Sequence, residues 1–467
     1  MIVIRLLTLT ALLWLAACTS VGPEYARPDV ALEPVWLQAE RAQYATTPAE
    51  LASWWRTLND PLLNDFIDTA LRQNNNLRIA GLRVQEAQAA LEIATANRYP
   101  QVQAISGGAT LSDSGDVALE QYSLGAGLSW EIDFWGRFRQ GIAAADASYL
   151  AAAANYDDAM VLVTAAVADV YTVMRATEEQ LRLARDSLAL QQRSYEIVDV
   201  LFRNGSSAEL DALQARTLLL STQAAIPDLE KALRQAGNAM SALLGTGPDD
   251  LGQAFAASSA LPTVPADIAV GLPADLLRQR PDVRRAEAQA LAQNAAVGVA
   301  TANLYPSFSL SGFLGGTSRD LDTGNAVLDA LFSSSSSAVS LGANFVWPFL
   351  NYGRIRNNIA VQDMRLQQAL VAYQETVLQA AREVEDAMAA LGAAREKDAI
   401  LRESVAVAQR SAELAFLRYQ EGFADYQRVL NAQQSLFAQQ QRYAVNHGDV
   451  VRNVIKLYRS LGGGWQQ

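Results

Sequence analysis

The sequence predicts a mainly α-helical chain with a small β part, built as two copies of one unit. Three observations carry this: motifs that recur at a constant offset, long helical stretches with seven-residue periodicity, and segments of strict apolar/polar alternation. Ala94-Thr95-Ala96-Asn97-Arg98-Tyr99-Pro100 returns 206 residues later as Ala300-Thr301-Ala302-Asn303-Leu304-Tyr305-Pro306. Trp135-Gly136-Arg137 answers to Tyr352-Gly353-Arg354, Asn204-Gly205 to Glu421-Gly422, and Leu244-Gly245 to Leu461-Gly462, each pair 217 residues apart. The 11 extra residues fall between Pro306 and Tyr352. Solenoid repeats have periods of roughly 20–50 residues. This is instead a duplicated half, and each half needs the other, or more copies, to bury its faces.

Residues 1–17 read as a signal peptide: one basic residue, Arg5, then an apolar run, Leu6–Leu15, too short to span a bilayer. Cys18, the only cysteine of 467 residues, follows Leu15-Ala16-Ala17 directly. An exported chain with one cysteine makes no internal disulfide. Its position fits the bacterial lipobox, in which that cysteine is acylated and begins the mature chain; the competing reading is an ordinary signal peptide with an incidental cysteine. Acyl chains bury CH₂ groups at roughly 0.8 kcal/mol each, enough for stable anchoring when there is more than one. Residues 18–60 are then a lipidated N-terminal segment. Thr19, where an aspartate would mark retention at the inner membrane, points to the outer membrane. The formal charge of −12 and pI near 4.8 argue against a nucleic-acid partner. After the signal no run of about 18 uncharged apolar residues stands out.

The first repeat is expected over 61–245. A helix starts at Asp60-Pro61, resumes after Asn74-Asn75-Asn76 and runs to Asn97. A β-hairpin over 101–134 follows, its second arm placing Tyr122, Leu124, Ala126, Leu128, Trp130, Ile132 and Phe134 in strict alternation with small or polar residues. From Ile142 to Asn204 there is neither Gly nor Pro. Met160, Val167, Met174, Leu181, Leu188, Tyr195 and Phe202 step by seven there. Ile142, Tyr149, Tyr156, Val163 and Val170 form a second row of the same step, and two such rows make a coiled-coil seam. About 60 residues at 1.5 Å each reach roughly 90 Å. A return helix over about 208–244 is interrupted by Pro227. Residues 246–280, rich in Gly, Pro and Ser, read as a linker or equatorial segment. The second repeat, 281–467, has a hairpin over 307–349 with a longer loop, a long helix from Ile355 to Glu421, and a return helix over about 425–461.

Four strands per chain have the length that a tilted membrane strand needs, about 9–11 residues. Four cannot close a barrel, for which roughly eight is the minimum, and open edges do not persist in lipid. Either the hairpins lie outside a membrane, or several chains pool their strands.

Three strings carry a resemblance. They are Asp133-Phe134-Trp135-Gly136-Arg137, its partner Trp347-Pro348-Phe349-Leu350-Asn351-Tyr352-Gly353-Arg354-Ile355, and Arg278-Gln279-Arg280-Pro281-Asp282-Val283-Arg284-Arg285-Ala286-Glu287. The mature chain resembles the TolC/OprM-like outer-membrane efflux proteins, in their lipidated drug-efflux branch. The resemblance implies a homotrimer. Its twelve strands would form one barrel in outer-membrane lipid, continuous with a periplasmic α-helical coiled-coil barrel. It implies a passive duct, docked through a periplasmic adaptor (membrane fusion) protein to an inner-membrane RND-type transporter. Leu124, Leu128, Trp130, Ile132 and Phe134 would then face lipid.

No catalytic set, metal site or cofactor site is legible, and no enzyme is expected. His447 is the only histidine, so histidine-based metal clusters and nucleophile triads lack parts. Gly125-Ala126-Gly127 lies within a strand and lacks the lysine and following helix of a phosphate loop. Functional expectation falls on two helix-turn-helix tips, where Gly205 and Gly422 suit a helix C-terminal turn. The resemblance assigns Asn204, Gly205, Asp211, Glu421, Gly422 and Asp425 to adaptor docking, and Gln427, Asn431 and Gln434 to a periplasmic gate. Family members commonly carry Asp where Asn431 stands and a basic residue where Gln434 stands, so closure here is expected to rest on amide hydrogen bonds and on Tyr426/Val429/Leu430 packing, with Asp425 or Asp211 as the alternative source of negative charge. The expected function is the exit duct of a tripartite drug-efflux pump. The alternatives are a type I secretion or heavy-metal efflux duct, and, in a different class, a structural coiled-coil surface lipoprotein.

Overall fold

The computed structural model describes residues 21–38, 51–113, 118–248, 261–265, 268–270, 277–319 and 337–465. The signal segment, Cys18, most of the 246–280 segment and the longer loop of the second hairpin lie outside them. The elements run in this order: a 3-10 turn (Trp54–Leu58), α1 (Pro61–Gln73), α2 (Asn75–Ala96), β1 (Val102–Asp113), β2 (Ala118–Ile132), α3 (Arg137–Arg203), α4 (Glu209–Leu243), α5 (Pro281–Ala302), β3 (Ser307–Arg319), β4 (Ser337–Val346), α6 (Arg354–Gln420) and α7 (Tyr426–Ser460). Both long helices have 67 residues, and both return helices have 35.

The duplication is legible at single hydrogen bonds. Asn74 Nδ2 donates to the Leu243 carbonyl at 2.8 Å, and Arg280, its equivalent, donates from Nη1 to the Ser460 carbonyl. In each case a buried side chain at the start of one helix satisfies a carbonyl left open at the end of the return helix. Arg280 adds what Asn74 lacks: Nη2 reaches Asp282 at 2.7 Å and Glu383 at 2.8 Å. Trp130 Nε1 donates to Arg98 O (3.2 Å) and Trp347 Nε1 to Leu304 O (3.0 Å), again equivalent pairs.

The chain forms two compact units, and they cut across the sequence repeats. The first comprises Met1–Asp29, Leu82–Ala153 and Arg284–Glu375, and holds the sheet. All four strands are antiparallel in the order β1-β2-β3-β4. Register pairs Leu128 with Gln103 and Gly312, and Gly127 with Ala104 and Phe313. Directly opposed residues share a face, so the sheet has two distinct faces. One carries Ile105, Leu124, Leu128, Leu314, Val339 and Leu341; the other carries Ser, Gly, Thr and Asn, with Phe313 lying over Gly125 and Gly315. The apolar face is open, with Leu341 88% and Ile105 83% exposed. Phe134 falls beyond the end of β2, so its expected lipid-facing strand position is corrected: its ring packs on Phe308 at 5.2 Å. In the same unit the N-terminal segment is held by Val21 N–H donating to Trp135 O and by an Arg27–Glu287 ion pair.

The second unit, Val30–Gly81, Ala154–Val283 and Thr376–Gln467, is a helical layer with a belt of short pieces. Asp60 caps α1, accepting from Leu62 and Leu63 N–H, with Pro61 preset at the first helical position. Tyr171 donates to the same carboxylate at 2.6 Å. Burial, then that bond, push its hydroxyl pKa well up. Trp54 stacks on Tyr458 at 5.3 Å, and Thr263 N–H donates to Leu58 O. Backbone N–H groups of Leu37 and Gln38 both donate to the Glu385 carboxylate.

Two expectations change. Pro227 sits inside a continuous α4 rather than interrupting it. The heptad seam of α3 shifts one row below Leu181: Ala184, Gln191 and Val198 are buried, while Leu188 and Tyr195 are half-buried and Phe202 is exposed. A straight helix drifts about 20° per heptad against a 3.5-residue repeat, enough to hand the seam to the next row. One stretch of α3 is apolar enough on average to cross a membrane, but Asp158, Asp169 and Arg175 leave no long uncharged run there, and 61% of the stretch is buried. It is apolar because neighbouring helices cover it.

Candidate functional site

Both helix tips close with the same backbone device. Gly205 N–H donates to Phe202 O and Ser206 N–H to Leu201 O; Gly422 N–H donates to Tyr419 O and Phe423 N–H to Arg418 O. Gly205 and Gly422 have φ of 77° and 75°. This double-bonded C-terminal turn demands a left-handed residue. Asn204 folds back, donating Nδ2 to Val200 O at 2.9 Å. Asp211 accepts from Ser207 Oγ at 2.8 Å, and Asp425 caps α7 by accepting from Arg428 N–H at 3.3 Å. Both carboxylates therefore hold their own turns. Glu421 is exposed.

Behind the tips lies a core of Val198, Ala212, Ala215, Leu218, Tyr426, Val429 and Leu430, all buried. Tyr426 meets Tyr419 edge-on at 5.3 Å, and its hydroxyl lies 3.2 Å from Ser194 Oγ. Burial pushes its pKa up. The Tyr426/Val429/Leu430 packing is thus internal to one chain and unites α3, α4 and α7. Gln427, Asn431 and Gln434 occupy an exposed face of α7 beside that core. Gln427 Nε2 donates to Asn431 Oδ1 at 2.9 Å, one turn apart along the same helix.

Sequence reasoning missed two features. Phe423, 80% exposed at the second tip, stands where the first tip has Ser206. Beyond the tip core, Gln191 Oε1 of α3, Thr222 Oγ1 of α4 and Gln433 Oε1 of α7 are each buried without a hydrogen-bond partner. The step-seven row Tyr426, Gln433, Gln440 held the signal for Gln433.

At the other end of the long helices, Asp133 accepts from Phe138 and Arg139 N–H and so starts α3. Trp135 stacks on Tyr305 at 4.5 Å and donates Nε1 to Pro306 O. Gly136 and Gly353 have φ of 78° and 84°, turning strand into helix in both repeats.

A family model described as outer membrane efflux protein matches residues 66–246 and 272–463, both repeats. The chain belongs to this family. Among curated relatives, this efflux protein is 33% identical to the solvent efflux pump outer membrane protein SrpC of Pseudomonas putida, over 98% of each chain. It is also 33% identical to the cation efflux system protein CusC of Escherichia coli O6:H1, over 99% of each. Among solved structures, the outer-membrane channel OprN superposes with a TM-score of 0.88 at 31% identity, covering 96% of this chain and all of that one. Helices that end in a four-stranded sheet are thus the architecture of outer-membrane efflux channels.

Proposed function

We propose that three copies of this efflux protein assemble into one passive duct through the outer membrane and periplasm, the exit stage of a tripartite pump for drugs and other small molecules. The single observation that carries this is the sheet. It offers an exposed apolar face across four strands and, at β1 and β4, edges that no other described strand covers. Lipid satisfies the apolar face, but only pairing with further chains satisfies the edges. Twelve strands meet the size requirement that four do not. Acylation of Cys18 would anchor the chain to the same membrane.

The tips are the surfaces offered to a periplasmic adaptor, and through it to an RND-type transporter. Asn204, Gly205, Asp211, Glu421, Gly422 and Asp425 shape them, while Gln427, Asn431 and Gln434 face the axis as the gate. Equal identity to a solvent efflux pump outer membrane protein and to a cation efflux system protein is what a conduit whose cargo is selected upstream would show. Such a duct makes and breaks no bonds. The test is heat-modifiable migration of the purified protein together with planar-bilayer conductance. A trimer-sized band that collapses on heating, with discrete conductance steps, is expected; a monomer without conductance refutes the duct.

A further inference from the structure

Within the helical unit, one side of the layer is committed to the belt. Tyr458 of α7 stacks on Trp54, Tyr171 of α3 donates to Asp60, and Arg395 of α6 donates to Pro265 O at 2.8 Å. At about 100° per residue, Lys456 lies about 160° round α7 from Tyr458, with Arg452 and Arg459 flanking it. Asp169 lies about 160° round α3 from Tyr171. These side chains, with Lys397 of α6 and Asp449 of α7, line one groove of about 720 Å³ on the side away from the belt.

The groove runs against the charge of the chain. Its four cations face two carboxylates, in a protein whose net charge is −12. Arg452 engages both carboxylates, at 2.7 Å from Asp169 and 3.6 Å from Asp449. Lys397, Lys456 and Arg459 are exposed. The equivalents of the α7 stripe 217 residues earlier are Ala232, Gln235, Ala239 and Ala242, so the charge was placed in one repeat only.

We propose that this groove lines the bore as a basic ring and favours the passage of anionic solutes. The inference rests on the trimeric duct proposed above. In that assembly the lipid-tethered segment must run outside, because acyl chains on Cys18 sit in the bilayer. Trp36 of that segment is buried and Leu37 bonds Glu385. Glu385 lies about 80° round α6 from the belt-bound Arg395 and about 120° from Lys397, so the segment runs on the belt's side, the outer one, and the groove faces inward. Three copies bring a surplus of six positive charges to one level of the bore. Rings of Arg and Lys select anions in pores, and a low-dielectric wall focuses their field.

Planar-bilayer recordings in a KCl gradient should compare the wild-type trimer with the Lys456→Gln/Arg459→Gln variant. The anion-to-cation permeability ratio should fall about two- to threefold, with trimer yield unchanged. Separately, a cysteine introduced by Ala393→Cys, on the groove wall, should react faster with an anionic thiosulfonate than with a cationic one added from outside. That preference should shrink in the charge-neutralised variant. Pores whose permeability ratio and reagent preference ignore the substitutions overturn the basic ring and leave the duct standing. Absence of trimers and of pores removes the duct itself, and the ring with it.

Discussion

Leu128 and Gly127 are neighbours on β2 but point to opposite faces of the sheet, and their fates under substitution should differ. Leu128 shares the apolar face with Leu314 and Leu341, whereas a Cβ on Gly127 meets only Ala104 O at 3.9 Å. Leu128→Arg should cost assembly about 2–4 kcal/mol if it lies near the bilayer midplane, and Gly127→Arg much less. Trimer yield in denaturant checks this, and equal tolerance would argue against the barrel. Arg280 and Asn74 form a second pair. They occupy one position of the two repeats, but Arg280 binds a carbonyl and two carboxylates where Asn74 binds one carbonyl and one N–H. Arg280→Ala should lower stability by about 1.5–3 kcal/mol, because charged groups lose partners, and Asn74→Ala by about 1 kcal/mol. Thermal unfolding of both variants would read the order.

Among the elements, α7 carries both the tip core and the proposed gate, on adjoining faces. Its inward face is fixed by Tyr426, Val429 and Leu430; the proposed gate positions Gln427, Asn431 and Gln434 are neutral amides, with the exposed Arg428 paired to Asp425 beside them. Closure by such amides should depend weakly on salt, since screening acts on charges. The Gln427→Ala/Asn431→Ala variant should raise conductance in planar bilayers without lowering the melting temperature, because neither side chain contributes to the core. Conductance that stays at the wild-type level would place the constriction elsewhere. A docked partner can open the mouth only through contacts that differ between closed and open states.

For the whole molecule, the anchor and the pore are separable. Cys18→Ser should release the chain from the membrane fraction or mislocalise it, yet trimers should still form when a different signal peptide forces export. Mass spectrometry of the mature wild-type protein should find Cys18 acylated, and an unmodified thiol would end the anchor reading. The separation follows from where stability resides. The sheet needs partner strands and the helices need each other, while among the described residues the N-terminal segment adds the buried Trp36, the Arg27–Glu287 pair and a few bonds such as Leu37 to Glu385.

The duplication, the hairpins, the long helices and the glycine turns at both tips were legible in residue order, because each depends on local periodicity or on one backbone conformation. Gly205 and Gly422 stand out in any reading, since a left-handed turn excludes most side chains. Tertiary structure alone decided which heptad row of α3 is buried, since the row changes with accumulated helical drift. It alone showed that Tyr426, Val429 and Leu430 pack within one chain, and that Asp211 and Asp425 hold their own turns. It alone gathered Asp169, Lys397 and Lys456 from three helices into one groove. Residues 228 and 59 positions apart in sequence share a field only after the helices pack side by side.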